Sequence, residues 1–282
     1  MQLLEAERPD RMEEACGVFA VLAAEQPVAN LAYFGLYALQ HRGQESAGIA
    51  VFNEGNVCLH KDMGLVSQVF DQDVLARMPG DLAIGHNRYS TTGSSRVCNA
   101  QPVVLMTRLG AFALAHNGNL VNAAELRRAV DDGQVEFTST TDSELIAHLL
   151  DNFLKAEDSL LSAMQKLKSK LNGAYAVAAI DQKEPESFVV ARNRSPLVIG
   201  LGKQENFAAS DPLALGDLTS KFLIMEDGDV AKISPDLVEI YDGKDQLANR
   251  EKLTLDINAE ASSKGNFKHY MEKEIYEQPQ AV

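Results

Sequence analysis

Residues 82–116 read LAIGHNRYSTTGSSRVCNAQPVVLMTRLGAFALAH and hold three short apolar runs. The runs are Leu82–His86, Val103–Thr107 and Ala111–His116, and turn-forming residues separate them. Short apolar runs bounded by glycine, asparagine and serine are typical of buried β-strands. The stretch therefore predicts three strands, two of which end on polar motifs.

Runs of the same kind recur on both sides of this stretch. Further predicted strands are Gly17–Leu22, Ser46–Phe52, Val57–His60, Ala174–Ile180, Ser187–Ala191, Leu197–Leu201, Phe222–Met225 and Val230–Ile233. Helical spacing of apolar residues predicts helices over Val28–Gln40, Asn122–Asp131, Thr141–Ala156 and Asp158–Leu171. The strands form two clusters accompanied by pairs of helices. This pattern predicts an α+β fold, a four-layer α-β-β-α sandwich of two mainly antiparallel sheets.

The composition is that of an ordinary globular protein. The chain has 282 residues, of which 45% are apolar and 23% are charged. These values exclude disordered, collagen-like and disulfide-scaffold proteins. No apolar stretch approaches the roughly 20 residues of a membrane-spanning helix. Residues 1–15 also lack the basic start and apolar run of a secretion signal. We expect a soluble protein with no membrane partner.

The net charge and the cysteine content indicate which partners and which cellular compartment suit the protein. Forty acidic residues against 26 basic ones give a net charge of −14. Such a charge repels phosphate backbones, so we expect no nucleic-acid partner. The three cysteines, Cys16, Cys58 and Cys98, are too few and too widely spaced for a disulfide framework or a zinc site. A reducing cytoplasm fits best, with Cys58 and Cys98 in structural roles.

Two motifs offer a nucleophile and a carboxylate-binding group. Cys16 precedes the first predicted strand, and cleavage before it would free an α-amine. An α-amine has an ordinary pKa of about 8, so it can accept the thiol proton at neutral pH. Arg88 follows another strand, and its planar guanidinium can hold both oxygens of a carboxylate. Taken alone, each motif also fits a buried cysteine or an ordinary loop.

Two more motifs complete a possible amino-acid site. Asn117 and Gly118 have the composition of an oxyanion hole, although Asn-Gly is also a common turn. Asp142 could hold an ammonium group, or it could simply stabilise a helix N-terminus. It lies in Thr141-Asp-Ser-Glu144, which is a capping-box pattern. Together the four motifs suit an α-amino acid that carries a side-chain amide.

The motifs occur in longer strings that can be compared with known families. These strings are Cys16-Gly-Val-Phe, Leu39-Gln-His-Arg-Gly-Gln-Glu-Ser-Ala-Gly-Ile-Ala50, His86-Asn-Arg-Tyr-Ser-Thr-Thr-Gly93, His116-Asn-Gly118 and Thr141-Asp-Ser-Glu144. In this combination the chain resembles the class II glutamine amidotransferases, which have the N-terminal nucleophile hydrolase fold. In that family the cysteine attacks the amide of L-glutamine, ammonia leaves, and water hydrolyses the glutamyl thioester.

The resemblance implies a role for each matched residue. Cys16 would be the nucleophile and its own amine the base, with Asn117 and Gly118 as the oxyanion hole. Arg88 would grip the α-carboxylate, and Asp142 the α-amino group. Other residues expected at the substrate are Arg42, which would order the loop beside the nucleophile, and Tyr89, Thr91, Thr92 and His116. Some amidophosphoribosyltransferases hold an iron–sulfur cluster, but this chain has no cysteine after Cys98 and no pair of histidines at i, i+4 spacing, so we expect no cofactor and no metal. A homodimer is a possible assembly.

The two parts of the chain resemble different members of the family. With Tyr37-Ala-Leu-Gln-His-Arg-Gly-Gln-Glu-Ser46 and Arg88-Tyr-Ser-Thr-Thr-Gly93, residues 1–144 resemble amidophosphoribosyltransferase. With Arg194-Ser-Pro-Leu-Val-Ile-Gly-Leu-Gly202 and His269-Tyr-Met-Glu-Lys-Glu-Ile-Tyr-Glu-Gln-Pro279, residues 145–282 resemble the glutaminase half of glucosamine-6-phosphate synthase. We expect a propeptide-like extension over 1–15, the amidotransferase domain over 16–250, and a connector over 251–282 to an acceptor domain outside this chain. The connector favours fructose 6-phosphate as the acceptor; the alternative is phosphoribosyl pyrophosphate. A natural mosaic, a chimera and a fragment all stay open.

Two functions of other classes are also kept. One is a non-catalytic module that recognises glutamine and never exposes Cys16. The other is a hydrolase of a different amide, such as a penicillin or bile-salt acylase. The presence of both Arg88 and Asp142 argues against this last class, because its substrates need no α-amino acid head group.

Overall fold

The structure is a computed structural model, and it describes residues 16–24, 26–53, 55–89, 95–107, 110–131 and 135–255. The predicted extension over 1–15 and nearly all of the predicted connector lie outside these ranges. Strands β1 to β15 are Gly17–Ala23, Ser46–Asn53, Asn56–Met63, Leu82–Arg88, Val103–Thr107, Gly110–Leu120, Gly173–Asp181, Phe188–Asn193, Val198–Leu201, Glu205–Ala209, Lys221–Ile224, Val230–Ile233, Val238–Tyr241, Leu247–Ala248 and Lys252–Thr254. Helices α1 to α6 are Val28–Ala38, Val66–Val69, Gln72–Ala76, Ala123–Val130, Asp142–Leu154 and Leu160–Lys168, and short 3₁₀ helices span Leu39–His41, Val97–Asn99 and Pro212–Leu215.

The strands form two sheets, and every strand pairing in the described ranges is antiparallel. The first sheet has eight strands in the order β15-β11-β9-β10-β1-β4-β2-β3. The second has seven, in the order β14-β13-β12-β8-β7-β6-β5. The predicted sandwich of two antiparallel sheets is confirmed. However, the two sheets do not correspond to the two clusters along the chain, because late strands return to the first sheet beside β1.

Strand alternation explains how each sheet buries both of its faces. On β1, Val18, Ala20 and Leu22 point towards the other sheet, while Phe19 and Val21 pack with the apolar side of α1. Successive side chains of a strand point to opposite faces, so a strand covered on both sides reads as a continuous apolar run. This is why the first strand has no polar residue between Gly17 and Ala23.

The layer between the sheets is lined by small side chains from the second sheet. Ala111, Ala113 and Ala115 of β6 and Ala176 and Ala178 of β7 all point inward and are fully or almost fully buried. Helices α4, α5 and α6 cover the opposite face of that sheet. The observed order of layers is therefore helix, sheet, sheet, helix, with polar residues entering the central layer at one end.

The helix predictions hold, with one local correction. Thr141 is the N-cap of α5, but its side chain makes no capping hydrogen bond, so the predicted capping box is wrong. Glu144 instead accepts hydrogen bonds from the N–H and hydroxyl groups of Thr138 and Ser139, at 2.7–2.8 Å. Burial would raise the pKa of Glu144, but these bonds hold it below the usual range. Glu144 therefore fixes the segment that leads into α5.

No helix within the described ranges is long and apolar enough to cross a bilayer. All three cysteines lie in the described part of the chain, and none of them forms a disulfide bond. That part of the chain also contains no group of three or more His, Cys, Asp or Glu side chains placed to hold a metal ion.

Candidate active site

Cys16 lies immediately before the first residue of β1 and is half-buried. Gly17 pairs with Asn87 across β1 and β4, which puts Cys16 opposite the end of β4. Its Sγ is 3.4 Å from the backbone nitrogen of Tyr89 and 3.5 Å from the Tyr89 carbonyl oxygen. The thiol therefore sits directly before the first residue of a central strand.

Arg42 holds the backbone at Cys16. Its Nε donates a hydrogen bond to the carbonyl oxygen of Cys16 at 3.2 Å, and its guanidinium faces the Asp211 carboxylate at 3.9 Å. Burial would raise the pKa of Asp211, but hydrogen bonds from His41 and the Leu213 backbone, with the charge of Arg42, keep it below the usual range. An ionised Asp211 anchors Arg42 against the start of β1.

Arg88 ends β4 on the face that looks into the central layer, together with Cys16. Arg88 is only 4% exposed, and its Nη1 forms an ion pair with Oε1 of Glu45. Ser46 lies opposite Arg88 on β2, and its buried Oγ has no hydrogen-bond partner among the described residues. Side chains directly opposite each other on neighbouring strands stand about 4.5–5.5 Å apart at Cβ. Cys16, Arg88 and Ser46 therefore form one row across three strands.

Asn117 reaches the central layer from the second sheet. It follows the inward-pointing Ala115 on β6 by two residues, so its side chain points to the same side. Both polar atoms of the amide are buried and have no hydrogen-bond partner in the described ranges. Leaving a buried polar group unpaired typically costs about 1–3 kcal/mol. The amide is thus available to a bound ligand.

Gly118 can only be glycine because of a close approach to β7. Its φ is +153°, and a Cβ there would lie 2.1 Å from the carbonyl oxygen of Ala174. A side chain at this position would push β6 away from β7. The two expected oxyanion-hole residues are therefore held on a strand whose spacing depends on glycine.

Asp142 is the first residue of α5 and is tied to β6 by both oxygens. Oδ2 accepts a hydrogen bond from the Leu120 backbone at 3.1 Å, and Oδ1 is 3.5 Å from Nδ1 of His116. Burial would raise the pKa of Asp142, but the His116 ring and the Leu120 N–H lower it overall. The carboxylate is therefore negative at neutral pH, as binding of an ammonium group requires.

Contacts between the sheets bring these groups to one place. His86, two residues before Arg88, points across the central layer, and its Nε2 is 3.0 Å from the carbonyl oxygen of His116. His116 directly precedes Asn117. Cys16 and Arg88 of one sheet therefore lie at the same end of the sandwich as Asn117 and Gly118 of the other, and Asp142 is tied to that end of β6.

The remaining expected site residues differ in what the structure places. The His116 ring lies on the helix-covered face, beside Ser143 and Asp142, so it supports Asp142 there. The Tyr89 side chain is 40% exposed, and the backbone of Tyr89 makes the contact with Cys16. Thr91 and Thr92 lie outside the described residues.

Sequence reasoning missed four residues around the site. They are Glu45, which pairs with Arg88; Asp211, which anchors Arg42; and His86 and Gln101, which contact the His116 backbone. Glu45 and His86 were inside quoted motifs but had no role assigned. Asp211 lies in Asn206-Phe-Ala-Ala-Ser-Asp-Pro-Leu-Ala-Leu215, a string that resembles glucosamine-6-phosphate synthase, and it also had no role assigned. Gln101 carried no signal, because its partner is distant in sequence.

Comparison with known proteins identifies the family of this chain. A family model described as a glutamine amidotransferase domain matches residues 86–217, which include Arg88, Asn117, Gly118 and Asp142. The chain contains a glutamine amidotransferase domain. The matched range begins on β4 and includes β6 and the start of α5.

Relatives of two kinds share the glutamine amidotransferase domain. The amidophosphoribosyltransferase of Synechococcus elongatus is 55% identical over 197 residues, covering 69% of this chain and 39% of the relative. The isomerizing glutamine–fructose-6-phosphate aminotransferase of Haemophilus influenzae is 41% identical over 272 residues, covering 95% of this chain and 43% of the relative. The chain therefore spans less than half the length of either protein.

A solved structure shares both the fold and the domain. It is the glutamine phosphoribosylpyrophosphate amidotransferase from B. subtilis complexed with ADP and GMP, with a TM-score of 0.72 and 31% identity. The match covers 82% of this chain and 50% of that chain. The resemblance inferred from the motifs is confirmed at the level of the domain.

Proposed function

We propose that the domain hydrolyses L-glutamine to L-glutamate and supplies the ammonia to an acceptor. One observation carries this proposal. The Cys16 thiol lies at the start of a central strand, in one row with the buried Arg88. The unpaired amide of Asn117 faces the same central layer from the other sheet, and Asp142 is tied to the strand that carries Asn117. No single group in that set is unusual. Together they match the α-carboxylate, the α-ammonium group, the amide carbon and the amide oxygen of glutamine.

Each end of glutamine finds an opposite charge or a hydrogen-bond donor. The buried guanidinium of Arg88 receives the α-carboxylate, and the ionised Asp142 receives the α-ammonium group. These two contacts fix the amino-acid head and direct the side-chain amide towards Cys16. The amide oxygen then lies at Asn117 and Gly118.

The reaction proceeds by transfer of the acyl group to sulfur. After cleavage before Cys16, its α-amine takes the thiol proton and Sγ forms a bond to the amide carbon of glutamine. The oxygen becomes negative and is stabilised by the Asn117 amide and the Gly118 N–H. The carbon–nitrogen bond of the glutamine amide then breaks. The nitrogen leaves as ammonia, taking the proton that the α-amine of Cys16 had accepted from the thiol. Water, deprotonated by the same amine, then hydrolyses the thioester to glutamate.

Intact mass and covalent labelling test this proposal. We expect a mass that lacks residues 1–15 and one equivalent of 6-diazo-5-oxo-L-norleucine on Cys16. Cys16→Ala abolishes labelling and glutaminase activity, whereas the matched variants Cys58→Ala and Cys98→Ala keep both. A processed, folded sample that takes no label at Cys16 would refute the proposal. Retention of residues 1–15 without activity would favour a non-catalytic glutamine-binding module.

For the acceptor we propose fructose 6-phosphate, so that the longer protein would make glucosamine 6-phosphate in the cytoplasm. The support is that likeness to a fructose-6-phosphate aminotransferase extends over 95% of this chain. A specific observation also favours phosphoribosyl pyrophosphate, namely the 55% identity to an amidophosphoribosyltransferase over 197 residues. Protein isolated from its own cells, given glutamine and each acceptor, separates the two. Glucosamine 6-phosphate supports the first, and pyrophosphate release supports the second.

A further inference from the structure

Among the described residues, the segment of β6 that carries Asn117 and Gly118 has a strand on only one of its edges. On one side it pairs with β7, where Asn117 lies opposite Ala176. On the other side the pairing with β5 runs from Thr107 only as far as Val103, which lies opposite Leu114. His116 is therefore beyond the end of the β5 ladder.

A side-chain amide takes the place of the missing strand. Oε1 of Gln101 accepts a hydrogen bond from the His116 N–H at 2.7 Å, and Nε2 of Gln101 donates to the His116 carbonyl oxygen at 3.0 Å. Gln101 thus reproduces the donor and acceptor pair that a backbone residue would offer. Its residue is only 5% exposed, so water competes little for these bonds.

The same carbonyl receives a contact from the opposite sheet. Nε2 of His86 lies 3.0 Å from the His116 oxygen, and the His86 residue is fully buried. A carbonyl oxygen has two lone pairs and can accept from both His86 and Gln101. This oxygen belongs to the planar peptide group that also contains the Asn117 N–H. The contacts that fix the His116 carbonyl therefore also fix the orientation of the Asn117 N–H.

We propose that His86 and Gln101 are positioning residues that hold Asn117 and Gly118 at the correct distance from Cys16. His86 comes from the strand that ends on Arg88, beside the nucleophile, and it contacts the strand that carries the oxyanion hole. His86 thereby links β4, which ends on Arg88, to β6, which carries Asn117 and Gly118. This inference rests on the proposed glutaminase function, because it assigns the oxyanion hole to Asn117 and Gly118.

The two residues should affect the chemical step more than binding. In the proposed complex Arg88 and Asp142 hold glutamine in the ground state, whereas His86 and Gln101 contact the His116 backbone beside the proposed oxyanion hole. The oxyanion donors act only as the tetrahedral intermediate forms. Loss of one oxyanion-hole donor lowers kcat by about 100- to 1000-fold, and a misplacement of about 1 Å can cost about 100-fold. His86→Ala and Gln101→Ala should therefore lower kcat by about 10- to 100-fold while KM for glutamine stays nearly constant.

The experiment compares these variants with matched controls in the processed full chain. His60→Ala removes a ring whose Nε2 lies 3.0 Å from the Val69 carbonyl, away from the site. Gln182→Ala removes an amide that accepts from Ala111, at the opposite end of β6. We expect both controls to keep the wild-type kcat. His86→Asn, which keeps a donor on a shorter side chain, should recover part of the loss.

Binding of L-glutamate and the thermal midpoint separate positioning from general damage. We expect His86→Ala and Gln101→Ala to bind L-glutamate as the wild type does, and the double variant to lose less than the product of the two single losses, since both act on one peptide group. An unchanged kcat in both variants, or equal losses in kcat and glutamate affinity, would overturn the inference. Wild-type protein without glutaminase activity would instead refute the proposed function.

Discussion

The guanidinium of Arg88 and the carboxylate of Glu45 form an ion pair 2.5 Å long, with both side chains largely buried. A buried arginine needs a nearby negative charge, because an unpaired charge in a protein interior is strongly destabilising. In the proposed complex the α-carboxylate of glutamine brings a second negative charge to the same guanidinium. Glu45 and the substrate therefore share one cation.

Substitution of Glu45 tests this sharing. We expect Glu45→Gln to lower the free energy of unfolding by about 1–3 kcal/mol without ligand, because it removes a charge-assisted hydrogen bond to a buried arginine. Bound L-glutamate restores a negative charge beside Arg88. Saturating L-glutamate should consequently raise the thermal midpoint more in the variant than in the wild type, as measured by scanning fluorimetry.

The matched control is Glu184→Gln, which removes the 2.7 Å ion pair with Lys232 on the second sheet. Its ligand-induced shift should equal that of the wild type. If Glu45→Gln also responds to L-glutamate just as the wild type does, the carboxylate of the ligand does not reach Arg88.

Asp142 gives a prediction about substrate binding. Asp142→Asn keeps the size of the side chain but removes the negative charge that we propose binds the substrate ammonium group. Hydrogen bonds to charged groups contribute about 1.5–3 kcal/mol, so KM for glutamine should rise by about 10- to 100-fold. Asp151→Asn, on the same helix and paired with Lys155, serves as the control and should leave KM unchanged. Steady-state glutaminase kinetics measure both; an unaltered KM in Asp142→Asn would remove Asp142 from the site.

The sequence predicted local structure and the chemistry-bearing residues better than it predicted their supports. Apolar runs locate β1, β4 and β6 because both faces of these strands are buried. The polar motifs at strand ends drew attention to Cys16 and Arg88, and the pairing of β1 with β4 places these two residues on neighbouring strands. Glu45 could not be assigned, since its contact with Arg88 joins residues 43 positions apart.

The sequence also did not predict which of the two sheets each strand joins. Strands β9 and β10 follow β8 in sequence, yet β8 belongs to the second sheet and the next two strands to the first. Nothing in an apolar run states which of two sheets it joins, because both offer the same backbone hydrogen bonds. Sheet membership is settled by packing of the whole chain.

His86 predicts how stability depends on pH. Burial lowers the pKa of His86 to about 3, from 6.5 in an unfolded chain. The unfolded chain then binds a proton that the folded state refuses, so stability is fully present above pH 6.5 and is lost as the pH falls towards 3. Each pH unit in this window costs about 1.4 kcal/mol. Between pH 7 and pH 5 the wild type should lose about 2 kcal/mol more than His86→Asn in urea unfolding. Parallel curves for the two proteins would contradict burial of a neutral ring.

Gly118 links the fold to the chemistry most directly. Gly118→Ala would place a methyl group 2.1 Å from the Ala174 carbonyl oxygen, at a φ of +153° that favours glycine. The strand must move away from β7, so we expect a lower thermal midpoint and a kcat reduced by about 100-fold, as for a displaced oxyanion hole. Gly243→Ala is the matched control, because a Cβ there meets no atom within 4 Å. A variant that lost stability but kept its kcat would show that β6 can shift without moving the groups that stabilise the oxyanion. The assignment of Gly118 to the oxyanion hole would then fail.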